Sequence, residues 1–238
     1  MTFNIRNGLA EDGPNSWPNR RHLAAKVIRN SGADIIGLQE AFDFQFSFLL
    51  AELPGYEHYS IGRDDGHSEG EHCSILWKRD TLHQVKAGTF WLSDTPDTPG
   101  STTWGNHITR ICSWVEFEEG FTFFNTHWDH ETAPARLNSA ELMLDVLPAT
   151  PWILLGDFNA EPEWPELQAL SQSEKVHLVT GVNQVGTFHS FEGGTKGDRI
   201  DHIFTSPGLS YRDVKVDTIS EGGIFPSDHY PVSCTVSM

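Results

Sequence analysis

Short apolar runs broken by turns organise this chain. The clearest is Trp152-Ile153-Leu154-Leu155, long enough for a buried strand and too short for a typical helix. It stops at Gly156 and is followed by Asp157-Phe158-Asn159. Strand alternation puts Asp157 and Asn159 on one side and Phe158 on the other. Strand-like runs recur at Thr2–Ile5, Asp34–Glu40, Tyr56–Ile61, Cys73–Lys78, Ile108–Phe117, Phe121–Asn125, Arg199–Phe204, Val214–Ile219 and Tyr230–Val236. Glu118-Glu119-Gly120 joins two of them as a hairpin. Helical periodicity predicts a helix over Arg20–Ser31, capped by Gly32, and another over Asp43–Leu53, stopped by Pro54. It predicts two more over Pro134–Leu147, with Leu137, Leu142, Leu144 and Val146 among the apolar positions, and over Glu163–Ser173. Asn7–Asn19, Asp64–Gly70 and Ser93–Gly105 read as loops, and Phe90-Trp91-Leu92 as a connection. Strands and helices alternate, with extra hairpins and no repeat or linker. That pattern reads as one α/β domain over residues 1–238.

Composition narrows the class. No apolar run approaches the ~20 residues of a membrane span. Met1 leads directly into a strand without a charged-then-apolar leader, so a cytoplasmic location is expected, and a monomer. Cys73, Cys112 and Cys234 are odd in number and widely spaced in apolar runs, which suits buried thiols rather than a disulfide framework or zinc cluster. Sixteen basic against thirty-three acidic residues leave a formal charge of −17, which disfavours non-specific binding to long nucleic acid.

The polar groups share a position. Asn4, Glu40, His127, Asp157, Asn159, Asp201, Asp228 and His229 each lie within or at the end of a strand-like run. Each has an ordinary structural explanation: a turn, a helix N-terminal acid, a pairing of Asp201 with an arginine such as Arg199. Their joint occurrence at strand ends points to a site, because strand ends gather at one edge of a layered α/β domain. Carboxylates, amides and imidazoles without paired cysteines suit Mg²⁺ or Mn²⁺. Histidines suit anion binding and proton transfer. No Walker-type loop and no Gly-x-Ser-x-Gly elbow is present.

Six motifs carry a resemblance: Thr2-Phe3-Asn4-Ile5, Leu38-Gln39-Glu40, Asn125-Thr126-His127, Gly156-Asp157-Phe158-Asn159, Arg199-Ile200-Asp201-His202-Ile203 and Ser227-Asp228-His229-Tyr230-Pro231-Val232. In this order they resemble the endonuclease/exonuclease/phosphatase superfamily, the deoxyribonuclease I-like metal-dependent phosphoesterases. Gly88–Ser93 and Thr187–Phe191 look like a bacterial branch of unassigned substrate. The resemblance implies a four-layer sandwich: two packed, mainly antiparallel β-sheets flanked by α-helices, with the site at one edge. It implies that Glu40 ligates the metal, with Asn4 and Asp228 nearby as ligands or water-mediated partners, and that Asp157 orients or deprotonates the attacking water. Asn159 and His127 would hold phosphate oxygens, and His229, positioned by Asp201, would contact the phosphoryl group. Glu71 would orient His127. His130, Arg136 and His189 are candidate substrate contacts.

Substrate is not encoded in the shared catalytic set. The first reading is a phosphodiesterase or phosphatase on a small or soluble phosphate ester, which the acidic composition favours. A nuclease is the alternative, with Trp17, Trp104 and Trp128 as candidate stacking platforms. A non-catalytic binding module ranks lower because no matched catalytic position is substituted. A phospholipid phosphodiesterase also ranks lower, since no basic amphipathic helix is evident.

Overall fold

The computed structural model describes residues 1–181 and 185–238. In chain order the elements begin with β1 (Thr2–Asn4), α1 (Trp17–Ser31), β2 (Ile35–Ala41), α2 (Asp43–Glu52), β3 (Tyr56–Tyr59) and β4 (His72–Lys78). Then come β5 (Gln84–Trp91), β6 (Ile111–Phe117), β7 (Phe121–His127), α3 (Ala133–Val146) and β8 (Trp152–Asp157). The last are α4 (Pro165–Ser171), β9 (His177–Leu178), β10 (Asp201–Thr205), β11 (Ser210–Val216) and β12 (Val232–Ser237). They form two six-stranded mixed sheets, ordered β11-β12-β1-β2-β4-β3 and β5-β6-β7-β8-β10-β9. Ile75, Trp77, Val115, Phe123, Leu155 and Ile203 fill the space between the sheets. A second cluster seals α1 and α2 to the first sheet through Leu23, Ile28 and Leu49. A third seals α3 and α4 to the other sheet through Ala140, Met143, Leu167 and Phe204.

Each sheet has the same centre. β1 and β2 run parallel, joined by a crossover through α1, and β7 and β8 run parallel, joined through α3. Parallel strands present their C-terminal ends at the same edge, and an antiparallel neighbour presents its N-terminal end there. That rule brings together Asn4 and Glu40 from β1 and β2, His127 and Asp157 from β7 and β8, and Asp201 from the start of β10. Asp228-His229, just before β12, and Glu71, just before β4, join them.

Two glycines set close approaches at this centre. A Cβ on Gly37 would stand 2.3 Å from Leu155 Cδ1, so Gly37 lets the sheets meet. Gly156 has φ +153°, and a Cβ there would fall 2.0 Å from the Thr126 carbonyl oxygen on β7. Gly156→Ala is therefore expected to cost about 3 kcal/mol or more, a drop of roughly 10 °C in Tm. A thermal melt superimposing on wild type would show that β7 and β8 can separate at no cost.

Several sequence expectations are corrected. Phe90-Trp91 ends a full strand, β5, that pairs with β6. The first helix starts at Trp17, three residues early, with Pro18 in its first turn where the missing N–H costs nothing. The last hairpin's first strand is Ser210–Val216 rather than 214–219. On α3 the buried face is Ala135, Arg136, Ser139, Ala140 and Met143, whereas Leu137 and Val146 are exposed. Small residues let α3 sit close to β8 and α4, a preference that apolar periodicity alone does not register. Cys73 and Cys112 are buried and Cys234 half-buried, all three as free thiols.

Candidate active site

Glu40, His127, Asp157, Asn159, Asp228 and His229 border a cleft of about 390 Å³, and Asn4 and Asp201 are bonded to them outside its lining. Three backbone positions at its floor lie in the left-handed region: Arg6 (φ 57°), Glu40 (φ 62°) and Asn159 (φ 47°). Such conformations are uncommon for residues with a Cβ and concentrate at functional sites. Glu40 also sits in a register shift between β2 and β4, spanning Leu38 to Ala41. A bulge there re-aims its side chain from the sheet face toward the cleft.

Glu40 is held from two sides. Asn4 Nδ2 donates to its Oε1 (2.9 Å) and the Asn7 backbone N–H to its Oε2 (2.7 Å). Burial opposes its ionisation, but these bonds together with His229 and Arg6 hold it below the usual carboxylate range. Asp157 accepts from Asn4 Nδ2 at Oδ2 (2.9 Å) and from the Asn159 backbone N–H at Oδ1 (2.9 Å). Burial and the neighbouring Asp201 push Asp157 up to about 7. Burial and then Glu40 likewise raise Asp228, which lies 3.6 Å from Arg6 Nε.

The two imidazoles are electrically opposite. His229 Nδ1 donates to Asp201 Oδ2 (2.8 Å), and Nε2 stands 3.8 Å from Asp157 Oδ2. Burial alone would lower its pKa, but Asp201, Asp157 and Asp228 outweigh it and raise it to about 10, an imidazolium at neutral pH. Burial first, and then Arg110 and Arg63, push His127 well below its ordinary value, so it is neutral, with Nε2 3.6 Å from Asp157 Oδ2. Asn159 faces the same opening, its Nδ2 donating to the Trp128 carbonyl (3.0 Å).

Ligand atoms of Glu40, Asp157 and His229 lie within 4.8 Å of one another. A divalent cation fits this set. Burial first, and then a neighbouring like charge, raise the proton affinity of Asp157 and Asp228, and a cation relieves that repulsion. Glu40 and Asp157 supply anionic oxygens, while His229 carries a proton and serves better as a donor than as a ligand. Asn4 differs from the ligand expectation: its Nδ2 faces both acids, and its Oδ1 accepts from the Arg6 backbone N–H (2.9 Å).

Some candidates sit elsewhere. The Arg136 guanidinium is buried against Glu166 (2.8 Å) and the Asp129 carbonyl (3.0 Å), outside the cleft lining. His189 stacks on Tyr230 (3.9 Å) below a glycine-rich loop, also outside the lining. Glu71 borders the cleft but is bonded to Arg63 and Asn7 rather than to His127. His130 is at the rim, its Nδ1 accepting from Arg110 Nη2 (2.8 Å). Trp17 and Trp128 are buried, and Trp104 is tied to Asp94. Sequence reasoning missed Arg6, Asn7, Arg63 and Trp164 as cleft residues. Arg63 closes a polar loop and Trp164 begins a helix, and neither position carries a local signal. Arg110 Nε and Nη1 are buried without a hydrogen-bond partner among the described residues, although Asp129 lies 3.6 Å from Nε.

A profile of the Endonuclease/Exonuclease/phosphatase family matches residues 1–229. Among solved structures, a mannosyl-6-phosphatase of Bacteroides thetaiotaomicron is 33% identical with a TM-score of 0.92, over 100% of this chain and 98% of that one. An endonuclease/exonuclease/phosphatase from Bacteroides vulgatus is 30% identical with a TM-score of 0.92, over 100% and 97%. A further family protein from Bacteroides thetaiotaomicron is 32% identical with a TM-score of 0.89, over 99% and 92%. No curated protein matches the chain. The acid–imidazole cluster thus sits on a scaffold shared with relatives over 92–98% of their length, and the chain belongs to the endonuclease/exonuclease/phosphatase family of metal-dependent phosphoester hydrolases.

Proposed function

We propose that this chain hydrolyses a small phosphomonoester, a sugar phosphate, with Mg²⁺ or Mn²⁺. The observation that carries the reading is the charge layout of the cleft. Arg63, bonded to Glu71, and Arg110 line it together with Glu40 and Asp157, and two buried nitrogens of Arg110 have no hydrogen-bond partner among the described residues. A phosphomonoester dianion gains from two guanidinium groups more than a singly charged diester does. The cleft volume suits a sugar phosphate, and a chain of net charge −17 offers little to neutralise successive backbone phosphates. The name of the 33% identical mannosyl-6-phosphatase points the same way.

Glu40 would hold the cation together with Asp157, with Asp228 nearby, and the oxygen-rich set selects a hard ion. The bound ion supplies charge neutralisation at phosphate oxygens. Asp157 accepts a proton from the attacking water, whose oxygen bonds to phosphorus as the ester P–O bond breaks; the bond pair leaves on the sugar oxygen, which takes up a proton from solvent. Asn159, His127 and the arginines hold phosphate oxygens. The His229 imidazolium, fixed by Asp201, donates to the phosphoryl group as charge builds there.

The test is kcat/KM for hexose 6-phosphates, glycerol 3-phosphate, bis(4-nitrophenyl) phosphate and duplex DNA, with Mg²⁺ or Mn²⁺ and after chelation, across a salt series. Monoesters should lead, chelation should abolish turnover, and Glu40→Gln should raise the metal concentration needed. Faster cleavage of DNA with a steep inverse salt dependence would make this a nuclease. Undiminished turnover after exhaustive chelation would remove the metal.

A further inference from the structure

The rim of the cleft holds an aromatic ring that the phosphate chemistry does not use. Trp164 borders the cleft, yet 43% of it is exposed, among the largest apolar side chains left open on the described surface. It is also held in place. The Arg136 guanidinium lies 5.6 Å from its ring centroid, and Arg136 is itself fixed by Glu166 and the Asp129 carbonyl. An exposed indole backed by a fixed cation is a preorganised surface rather than a loose side chain.

A second feature borders the same cleft. Arg199 clamps the segment before Trp164: its backbone N–H donates to Glu161 Oε1 (2.9 Å) and its Nη2 to Glu163 Oε1 (2.8 Å). The clamp ties the residue after Asp198 to the residue before Trp164. Asp198 also borders the cleft. Its backbone carbonyl accepts from the Thr187 and Phe188 N–H groups, which fixes the chain there, and the residue is exposed.

Resting on the sugar-phosphate reading, we propose that Trp164 and Asp198 form the leaving-group subsite and that it takes a hexopyranose ring. The C–H face of a pyranose stacks on an indole, and a carboxylate accepts hydrogen bonds from a pair of ring hydroxyls. Arg136 acts as a positioning residue for Trp164, not as a substrate contact.

The experiment uses three monoesters on the wild-type protein and on Trp164→Ala, Trp164→Phe and Asp198→Asn: a hexose 6-phosphate, cyclohexylmethyl phosphate and glycerol 3-phosphate. Trp164→Ala should lower the ratio of kcat/KM for either ring compound to that for glycerol 3-phosphate by about tenfold, the scale of aromatic stacking. Trp164→Phe should recover most of that ratio. Asp198→Asn should lower the hexose-to-cyclohexylmethyl ratio and not the cyclohexylmethyl-to-glycerol ratio. Ratios that stay at wild-type values, or an equal loss on all three esters, would overturn the subsite. The monoester reading fails on a separate axis, as a preference of wild type and variants alike for bis(4-nitrophenyl) phosphate over every monoester. Failure of wild type to turn over any ring ester would overturn both.

Discussion

Asp157→Asn should lower kcat by about 10²–10⁴-fold, the range that a positioned general base supplies, while the circular dichroism spectrum stays that of wild type. The side chain keeps its size. It loses the negative charge that burial and Asp201 make costly, which offsets the loss of one acceptor for Asn4 Nδ2 or the Asn159 N–H. What cannot be replaced is proton affinity. Without a cation, Asp157 is pushed up to about 7, and a divalent ion beside it favours the ionised form. The carboxylate is then ionised at neutral pH and remains a base for water, whereas an amide has no such capacity. Steady-state kinetics on the best ester at saturating Mg²⁺ or Mn²⁺ measure this. A kcat within severalfold of wild type would assign the proton to another group.

The second large effect is a coupling. Asp201→Asn and His229→Ala should each cost about 10²–10³ in kcat, the usual loss when a donor aimed at developing charge is removed. The double variant should cost little more than the worse single one. Asp201 Oδ2 receives the His229 Nδ1 proton at 2.8 Å, both groups are buried, and Asp201 is a principal cause of the raised imidazole pKa. Remove either and His229 no longer stands as a fixed cation near Asp157. Losses that multiply across the double-mutant cycle would show that the two residues act separately.

Local chemistry in the chain was enough to place most of the elements and to pick out the polar strand ends. The apolar run Trp152–Leu155 depends only on neighbouring residues, so β8 was legible, although Asn159 lies past its end with φ 47° rather than at an alternating strand position. The order of the motifs made the sandwich architecture legible as well. Partners across the sheets were not. The parallel β1–β2 and β7–β8 pairs, which bring Asn4, Glu40, His127 and Asp157 to one edge, depend on crossovers and register, which are long-range properties. The bulge that turns Glu40 into the cleft exists only against β4. Arg136 and Arg63 look alike as isolated arginines. Tertiary packing committed one to Glu166 behind Trp164 and placed the other at the cleft, bonded to Glu71. A side chain's type sets what it can bind. Which neighbour claims it first depends on distances that exist only once the chain has folded, and that is why the catalytic edge could be read from residues while the rim around it could not.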